Sequence, residues 1–174
     1  TVTPAATRAP AAPAATAPPV KQTEPGSDLR FCAHRADFKP AAPVCAEPAT
    51  AFPAGLTRVN GVWTVTAWPG ASLSGRWYLN GQALADPPGA RTRALCWDGK
   101  PESLGFTRTG PQFVSLAATS LGVSVLAQGA YRFELYADGK LILASGFGVG
   151  APGSYDPGLI AAAPTGGVAK PCGR

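Results

Sequence analysis

Metal chemistry in this sequence would have to come from its one histidine and four cysteines. His34 lies between Cys32 and Cys45, and these three side chains are of types that bind zinc. The pattern has neither the Cys-x-x-Cys nor the His-x₃₋₅-His spacing of zinc sites. We therefore expect a disulfide beside an exposed histidine, with no metal and no cofactor.

Hydrolytic catalysis has equally few candidates. A serine triad needs a histidine base, and the sequence offers only His34, without any Gly-x-Ser-x-Gly element. Paired carboxylates that cleave glycosides must lie about 5–9.5 Å apart in a cleft. Asp98 and Glu102 form a close acidic pair, but they flank a turn, where solvated charges are expected. The sequence predicts no catalytic residues and a protein that is not an enzyme.

A glycine-rich run from Gly148 to Gly153 matches the Gly-x-Gly-x-x-Gly fingerprint of dinucleotide-binding proteins. A phosphate cradle needs a helix that begins inside the motif. Pro152 and Pro157 oppose a helix of useful length there. We therefore expect a flexible exit from the last strand.

Aromatic side chains are the remaining candidates for a binding surface. The strand pattern places Trp63 and Trp77 on buried faces. Trp68 and Tyr78 fall on the opposite faces and are expected to be exposed. Because aromatic rings stack on sugars, these two residues are the candidate ligand-binding pair of the central region.

The basic residues do not predict a nucleic-acid interface. The net charge is +5, but the arginines are scattered and only Arg91 and Arg93 cluster. Nucleic-acid-binding domains instead show a basic stripe on one face. The simpler interpretation is a mildly basic surface. The more specific interpretation is attraction to anionic polymers of a cell envelope. No apolar run approaches the roughly 18 residues of a spanning helix, so no transmembrane helix is expected.

Several features predict export. The sequence contains no methionine, so Thr1 is expected to follow a cut, such as the removal of a signal peptide. Four cysteines, an even number, are typical of an oxidising compartment. The abundance of Ala, Pro, Gly and Arg suggests a GC-rich bacterial genome. We expect a secreted, cell-surface or periplasmic protein of the bacterial cell envelope.

Alternating patterns and turn residues predict short strands. Val59 to Trp68 alternates as a half-buried strand does. Asn80-Gly81 and Asp138-Gly139 supply the two positive φ angles of a type I′ turn, which predicts two hairpins. Asp98-Gly99 is a third turn signal between them.

The strand before the second hairpin turn has a clear division of faces. Tyr131, Phe133 and Leu135 are predicted to face inward, with Arg132 and Glu134 outward. The segment from Gln112 to Gln128 is ambiguous: 113–118 fits a strand or the start of a short helix, and 121–126 favours a strand. The regular spacing of strands predicts an all-β, immunoglobulin-like antiparallel sandwich.

The chain divides into four parts. Residues 1–28 are an Ala/Pro/Thr-rich extended tether, and 29–57 are a Pro-rich arm closed by a disulfide. Residues 58–149 form the sandwich, and 150–174 are an irregular tail held by a disulfide. The arm carries Phe31, Phe38 and Phe52, which we expect to anchor it on a partner protein.

Four cysteines allow three pairings, and the spacing alone does not choose among them. We favour Cys32–Cys45 with Cys96–Cys172, because each bond then restrains a segment that otherwise lacks core contacts.

The central region resembles a family of bacterial modules. The run from Gly129 to Leu141, followed by Gly146-Phe147-Gly148-Val149, is similar to the closing hairpin of bacterial immunoglobulin-like accessory modules. The run from Trp77 to Gly81 is similar to their upstream hairpin, with Asn80 in place of aspartate. The resemblance covers about residues 58–149 and implies an extracellular adhesion, scaffold or assembly module.

These observations lead to two functional hypotheses. The first is a non-enzymatic structural or accessory subunit of a bacterial cell-surface assembly, such as a surface layer, pilus or outer-membrane complex, which binds an envelope protein through its N-terminal arm. The alternative is a carbohydrate-binding module that recognises envelope glycan through Trp68 and Tyr78.

Overall fold

The structure, a computed structural model, describes residues 29–33, 39–90, 93–161 and 172. Strands dominate the described chain, and the helical elements are short. The elements are β1 (Arg30–Ala33), β2 (Ala51–Phe52), β3 (Arg58–Val65), β4 (Leu73–Leu79), β5 (Gln82–Ala83), β6 (Cys96–Gly99), a 3₁₀ turn (Pro101–Leu104), β7 (Gly110–Ala117), a second 3₁₀ turn (Ala118–Leu121), β8 (Gly129–Ala137), β9 (Lys140–Val149) and α1 (Pro157–Ala161).

The strands form two sheets with a shared core. One sheet has the order β1-β3-β7, and the other has the order β2-β9-β8-β4-β5, with β6 also paired to β4. The pairings are antiparallel apart from the short parallel pair β2–β9. This architecture confirms the predicted fold class, an all-β, immunoglobulin-like antiparallel sandwich.

Aromatic rings from both sheets meet in the core. The ring centroids of Trp63 and Phe133 lie 6.4 Å apart, and those of Trp77 and Phe133 lie 4.8 Å apart. Trp63 and Trp77 are buried, as their strand positions predicted. Burial of these large rings removes much apolar area from water, which stabilises the domain.

The sandwich begins earlier than predicted, at β1 and not at residue 58. β1 pairs with β3 from Arg30↔Val62 to Ala33↔Val59, so the arm closes one edge of the three-stranded sheet. The rings of Phe31 and Phe52 lie 4.8 Å and 5.4 Å from that of Phe147. Both side chains fill their own core, which corrects their prediction as partner anchors.

Both predicted type I′ hairpins are confirmed. Asn80 and Gly81 have φ angles of 50° and 78°, and Asp138 and Gly139 have 46° and 78°. The third turn signal fails, since Gly99 is the last residue of β6. The chain turns only after it, at the 3₁₀ turn that begins with Pro101.

The ambiguous segment divides into one strand and one turn. Residues 113–117 belong to β7, which settles the first part as a strand. The predicted strand over 121–126 is wrong, because Gly122 adopts a positive φ of 73° after the second 3₁₀ turn. Val123 and Val125 are exposed there, so their β-branched side chains did not indicate a strand.

The outer face of the six-stranded sheet is covered. Arg132 and Glu134 alternate with core residues, as predicted, yet they are only 5% and 1% exposed. The helix α1 packs on β8 and β9. Tyr155 lies so close over Gly148 that a Cβ atom there would collide with its ring. Part of the tail predicted to be irregular is thus a cover for the sheet.

Candidate functional site

The predicted disulfides are confirmed. Cys32 is bonded to Cys45 and Cys96 to Cys172, with Cα atoms 5.7 Å and 5.6 Å apart. His34 and Phe38 lie outside the described residues. The described part of the chain contains no group of three His, Cys, Asp or Glu residues suited to a metal ion.

The acidic pair of the sequence has an exposed surface position. Asp98 and Glu102 are both exposed. The Glu102 carboxylate lies 3.6 Å from Nε of Arg108, whose side chain is 87% exposed. The pair has the surroundings of solvated surface charges and lies in no cleft.

An open cavity lies along β7, and we call it the β7 slot. Its volume is about 630 Å³. Strand β7, the segment after β6 and the disulfide-closed loop all contribute side chains. The lining residues are Pro40, Ala41, Arg93, Ala94, Trp97, Leu104, Gly105, Phe106, Thr107, Pro111, Gln112, Phe113, Val114 and Ser115.

The slot wraps around one edge of β7. Gln112 and Val114 lie on the core-facing side of the strand, and Phe113 and Ser115 lie on the outer side. Side chains on both faces line the same cavity. Because β3 occupies one edge of β7, the cavity must run along the other edge.

An aromatic cluster forms the inner wall of the slot. The ring of Phe106 lies 5.4 Å from Trp97, 5.8 Å from Trp63 and 5.6 Å from Trp68. Trp97 in turn lies over Gly75 of β4, where a Cβ atom would collide with the indole. A glycine inside a strand marks such a close approach. Gly75 was the sequence feature that could have predicted the close packing of Trp97, and the sequence prediction missed it.

Gln112 orders one end of the slot. Its amide nitrogen donates to Oγ1 of Thr107 at 2.6 Å and to the Gly110 carbonyl at 3.1 Å. Its amide oxygen accepts from the Thr107 backbone N–H at 3.1 Å. Trp68 donates its indole N–H to the Thr107 carbonyl at 2.9 Å. These bonds hold Phe106 and its neighbours in place without any charged group.

Charge is nearly absent from the slot. Among the described residues that line it, Arg93 is the one charged side chain, and it is exposed. The remaining polar contributors are hydroxyl and amide groups. This composition resembles the centre of a protein-binding surface, where charge is depleted and aromatic residues are enriched.

The densest charged cluster lies on the opposite side of the six-stranded sheet. Arg132 donates from Nε to the Glu134 carboxylate at 2.8 Å and from Nη1 to the Ile160 carbonyl at 3.2 Å. The Tyr136 hydroxyl donates to the second oxygen of Glu134. Burial and the Glu134 carboxylate raise the pKa of Tyr136 well above its usual value. We call Arg76, Tyr78, Arg132, Glu134 and Tyr136 the polar cluster.

Arg76 is the incomplete member of the polar cluster. It lies directly opposite Glu134 in the β4–β8 register and is only 9% exposed. Its Nε and Nη2 atoms are buried without a hydrogen-bond partner. Leaving charged donors unsatisfied destabilises a fold.

The predicted ligand-binding pair is not brought together. Trp68 is half-buried and packs on Phe106, toward the sandwich interior. Tyr78 is half-buried on the outer face, where burial and Glu134 raise its pKa. The two rings do not form one platform, although Trp68 does border the inner wall of the slot.

Comparisons with known proteins give a fold-level similarity only. No protein-family model matches the sequence, and no curated protein matches it. Among solved structures, the chain is similar to an immunoglobulin-like protein of Pseudomonas aeruginosa, with a TM-score of 0.42 and 9% identity. The match covers 74% of this chain and 94% of the other. Within the described residues, no helix has the length and apolar character needed to cross a membrane.

Proposed function

We propose that this protein is a non-enzymatic structural or accessory subunit of a bacterial cell-surface assembly, and that it binds an envelope protein in the β7 slot. The observation that carries the proposal is the slot itself, an open cavity with an aromatic wall beside a strand edge. Partner proteins bind best to such surfaces, because burying aromatic rings releases water from a large apolar area.

The chemistry of the slot favours binding over catalysis. A general acid, a general base or a nucleophile needs a titratable or activated side chain at the reacting atoms. Arg93 is the one ionisable group among the described lining residues, and the Ser115 hydroxyl is paired with the Asn60 side chain. The slot supplies shape, apolar contact and hydrogen bonds.

The disulfides support the extracytoplasmic part of the proposal. Cys32–Cys45 closes the loop that lines the outer wall of the slot, through Pro40 and Ala41. Cys96–Cys172 ties the C-terminal region to β6, the strand that also carries Trp97 of the inner wall. Both bonds are compatible with a secreted or periplasmic protein, since disulfides persist in oxidising compartments.

The N-terminal arm has a narrower role in this proposal than the sequence suggested. Its second half supplies β1 and β2 to the sandwich, and Leu29 is 4% exposed in the core. Residues 1–28 lie outside the described residues, and partner binding through them stays a prediction. A truncation that tests this prediction must therefore remove only residues before Leu29.

The test is whether the envelope partner still co-purifies with the protein when the charge in the slot is reversed. The full chain is purified from its native envelope as wild type, as Arg93→Glu and as Arg108→Glu. Both variants make the same charge change at an exposed arginine, but only Arg93 lines the slot. We expect Arg93→Glu to lose at least tenfold of the co-purifying partner and Arg108→Glu to retain it. Equal recovery from all three proteins would contradict the proposal.

Glycan recognition is the second candidate, and Trp68 is the observation that favours it. Its half-buried ring borders the aromatic wall, where a sugar could stack. A glycan array with the full chain and with Trp68→Ala separates the two candidates. Specific glycan binding that disappears in Trp68→Ala, with no protein partner present, would favour this candidate.

A further inference from the structure

The disulfide Cys96–Cys172 lies beside a buried cation. Cys96 of β6 is directly opposite Arg76 of β4 in the antiparallel register, so both side chains lie on the outer face of the six-stranded sheet. Residues in this relation have Cβ atoms about 4.5–5.5 Å apart. Arg76 is only 9% exposed. Because solvent ions screen a buried charge little, Arg76 acts strongly on the neighbouring sulfur.

The Arg76 guanidinium still lacks an acceptor in the described part of the chain. Its Nε and Nη2 atoms are buried without a hydrogen-bond partner. Glu134 lies opposite Arg76 on the other side of β4, but its two carboxylate oxygens accept from Arg132 and from the Tyr136 hydroxyl. A disulfide sulfur is uncharged and at most a weak acceptor. Arg76 is therefore a cation beside Cys96 that an anionic sulfur would satisfy.

The acidic groups nearest to Cys96 are compensated or solvated. The Asp86 carboxylate accepts the backbone N–H groups of residues 94–96 at 2.7, 3.0 and 3.2 Å. Asp98 lies two residues along β6 on the same face and is exposed. The bonds to Asp86 also hold the start of β6 without the disulfide. Cys96 should therefore stay beside Arg76 after the disulfide is reduced.

We propose that Cys96–Cys172 is a site of thiol–disulfide exchange with a dithiol reductant, and that Arg76 holds the Cys96 thiolate that reduction produces. This inference goes beyond the proposed function, since neither the two cysteines nor Arg76 lines the β7 slot. A neighbouring arginine favours a thiolate over a thiol. Because stabilising the reduced form makes a disulfide a better oxidant, Arg76 should make this bond easier to reduce.

The exchange proceeds in two balanced steps. A thiolate of the reductant bonds to Sγ of Cys96, the more exposed of the two cysteines, as the bond to Cys172 breaks. The second thiolate of the reductant then forms the reductant's own disulfide and displaces Cys96 as a thiolate beside Arg76. The reductant loses two electrons, and the two cysteine sulfurs gain them. One of its two thiol protons goes to Cys172, and the other goes to solvent.

The disulfide of the arm, Cys32–Cys45, is an internal control. Cys32 lies opposite Asn60 in the β1–β3 register, and this side chain carries no charge. Two cations of the described chain lie near it, Arg30 on the same strand and Lys39 in the lining of the same cavity, and both are exposed. Solvent weakens the effect of exposed charges on a thiolate. Removing Arg76 should therefore change one disulfide and leave the other unchanged.

The redox equilibria of both bonds in the full chain test the inference. Wild type, Arg76→Met and Arg76→Lys are equilibrated in mixtures of reduced and oxidised dithiothreitol, and each bond is quantified by thiol alkylation and peptide mass spectrometry. We expect Arg76→Met to need at least a tenfold higher ratio of reduced to oxidised dithiothreitol to half-reduce Cys96–Cys172, a shift of about 30 mV. Arg76→Lys should stay close to wild type, because it keeps the cation.

The reactivity of the free thiol gives a second measurement. In a Cys172→Ser background, Cys96 is unpaired, and its alkylation by iodoacetamide at about pH 7 reports the fraction of thiolate. We expect Arg76→Met to slow this alkylation at least fivefold. Arg108→Met makes the same change at an exposed arginine and should leave the rate unchanged. Circular dichroism checks that each variant is folded.

The possible outcomes separate this inference from the proposed function. An equal dithiothreitol ratio for Cys96–Cys172 in wild type and in Arg76→Met would overturn it. An equal shift of both disulfides would also overturn it, since that result reports the stability of the whole fold. If Cys172→Ser does not fold, the equilibria of the intact chain decide the question. None of these results changes the recovery of a partner with Arg93→Glu, so the two proposals can fail separately.

Discussion

The polar cluster and the β7 slot lie on opposite sides of the six-stranded sheet, and they differ in charge and in exposure. The polar cluster holds charged and ionisable groups, but α1 packs on its strands, and Arg132, Glu134 and Tyr136 are bonded to each other. The slot has almost no charge, yet it is open and lies along β7. The charged groups are largely buried, and the apolar slot is the proposed recognition surface.

Breaking the disulfide between β6 and the C-terminal region should have the largest effect on stability. Cys96→Ser with Cys172→Ser opens a loop with a sequence separation of 76. The chain-entropy model assigns such a bond about 4.5 kcal/mol of the free energy of unfolding. Urea unfolding should show a loss of that order. The Cys32→Ser, Cys45→Ser pair, with a separation of 13, is the control and should lose about 3 kcal/mol.

Removing the Glu134 carboxylate from the polar cluster should cause the second largest loss of stability. Glu134→Leu leaves the Arg132 guanidinium buried beside two tyrosine hydroxyls without their acceptor. Breaking a buried ion pair in this way costs about 3–4 kcal/mol. The double variant Arg132→Met, Glu134→Leu should recover much of the loss, as measured by urea unfolding. If the single and double variants lose the same stability, the two groups are not coupled.

The two arginines of the polar cluster should respond in opposite directions. Arg132→Met removes the partner of Glu134 and should destabilise the fold. Arg76→Met removes buried Nε and Nη2 donors that have no hydrogen-bond partner. We expect it to raise the free energy of unfolding by about 1 kcal/mol. A loss of stability in Arg76→Met would show that the attraction between Arg76 and Glu134 outweighs the unmade bonds.

The smallest expected effect is a dependence of stability on pH, which should arise in the polar cluster and not in the slot. The folded pKa values of Tyr78 and Tyr136 are raised above the usual tyrosine value of 10.0. Their contribution to stability is therefore complete below about pH 10 and declines as the pH rises beyond it. Urea midpoints between about pH 8 and 11 should fall, and Tyr136→Phe should flatten the fall. Recovery of the partner through the slot should not follow this pH dependence, because neither tyrosine lines the slot.

The sequence was most informative where a conformation is local. Asn80-Gly81 and Asp138-Gly139 predicted both hairpins, because few other residues tolerate two consecutive positive φ angles. Alternation placed Trp63 and Trp77 in the core for a similar reason. The disulfide pairing was also predicted correctly, although β1, which contains Cys32, has core contacts of its own.

Predictions failed where burial depends on a distant partner. The proline-rich context of Phe31 and Phe52 indicated an arm, but pairing with β3 and β9 brought both rings into the core. Val123 and Val125 indicated a strand, but both follow a 3₁₀ turn that ends at Gly122 and are exposed. Arg132 and Glu134 were placed on the correct face, and α1, which packs on their strand, begins 23 residues after Glu134.

The sequence by itself determined the all-β class and the two hairpins, and it favoured the disulfide pairing that the structure contains. Each of these follows from local backbone preference, residue alternation or composition. Only the tertiary structure decided that the charged face is covered and that an aromatic-walled slot opens along β7. Whether a face is covered depends on where non-adjacent segments pack, and no local pattern in the chain encodes that contact.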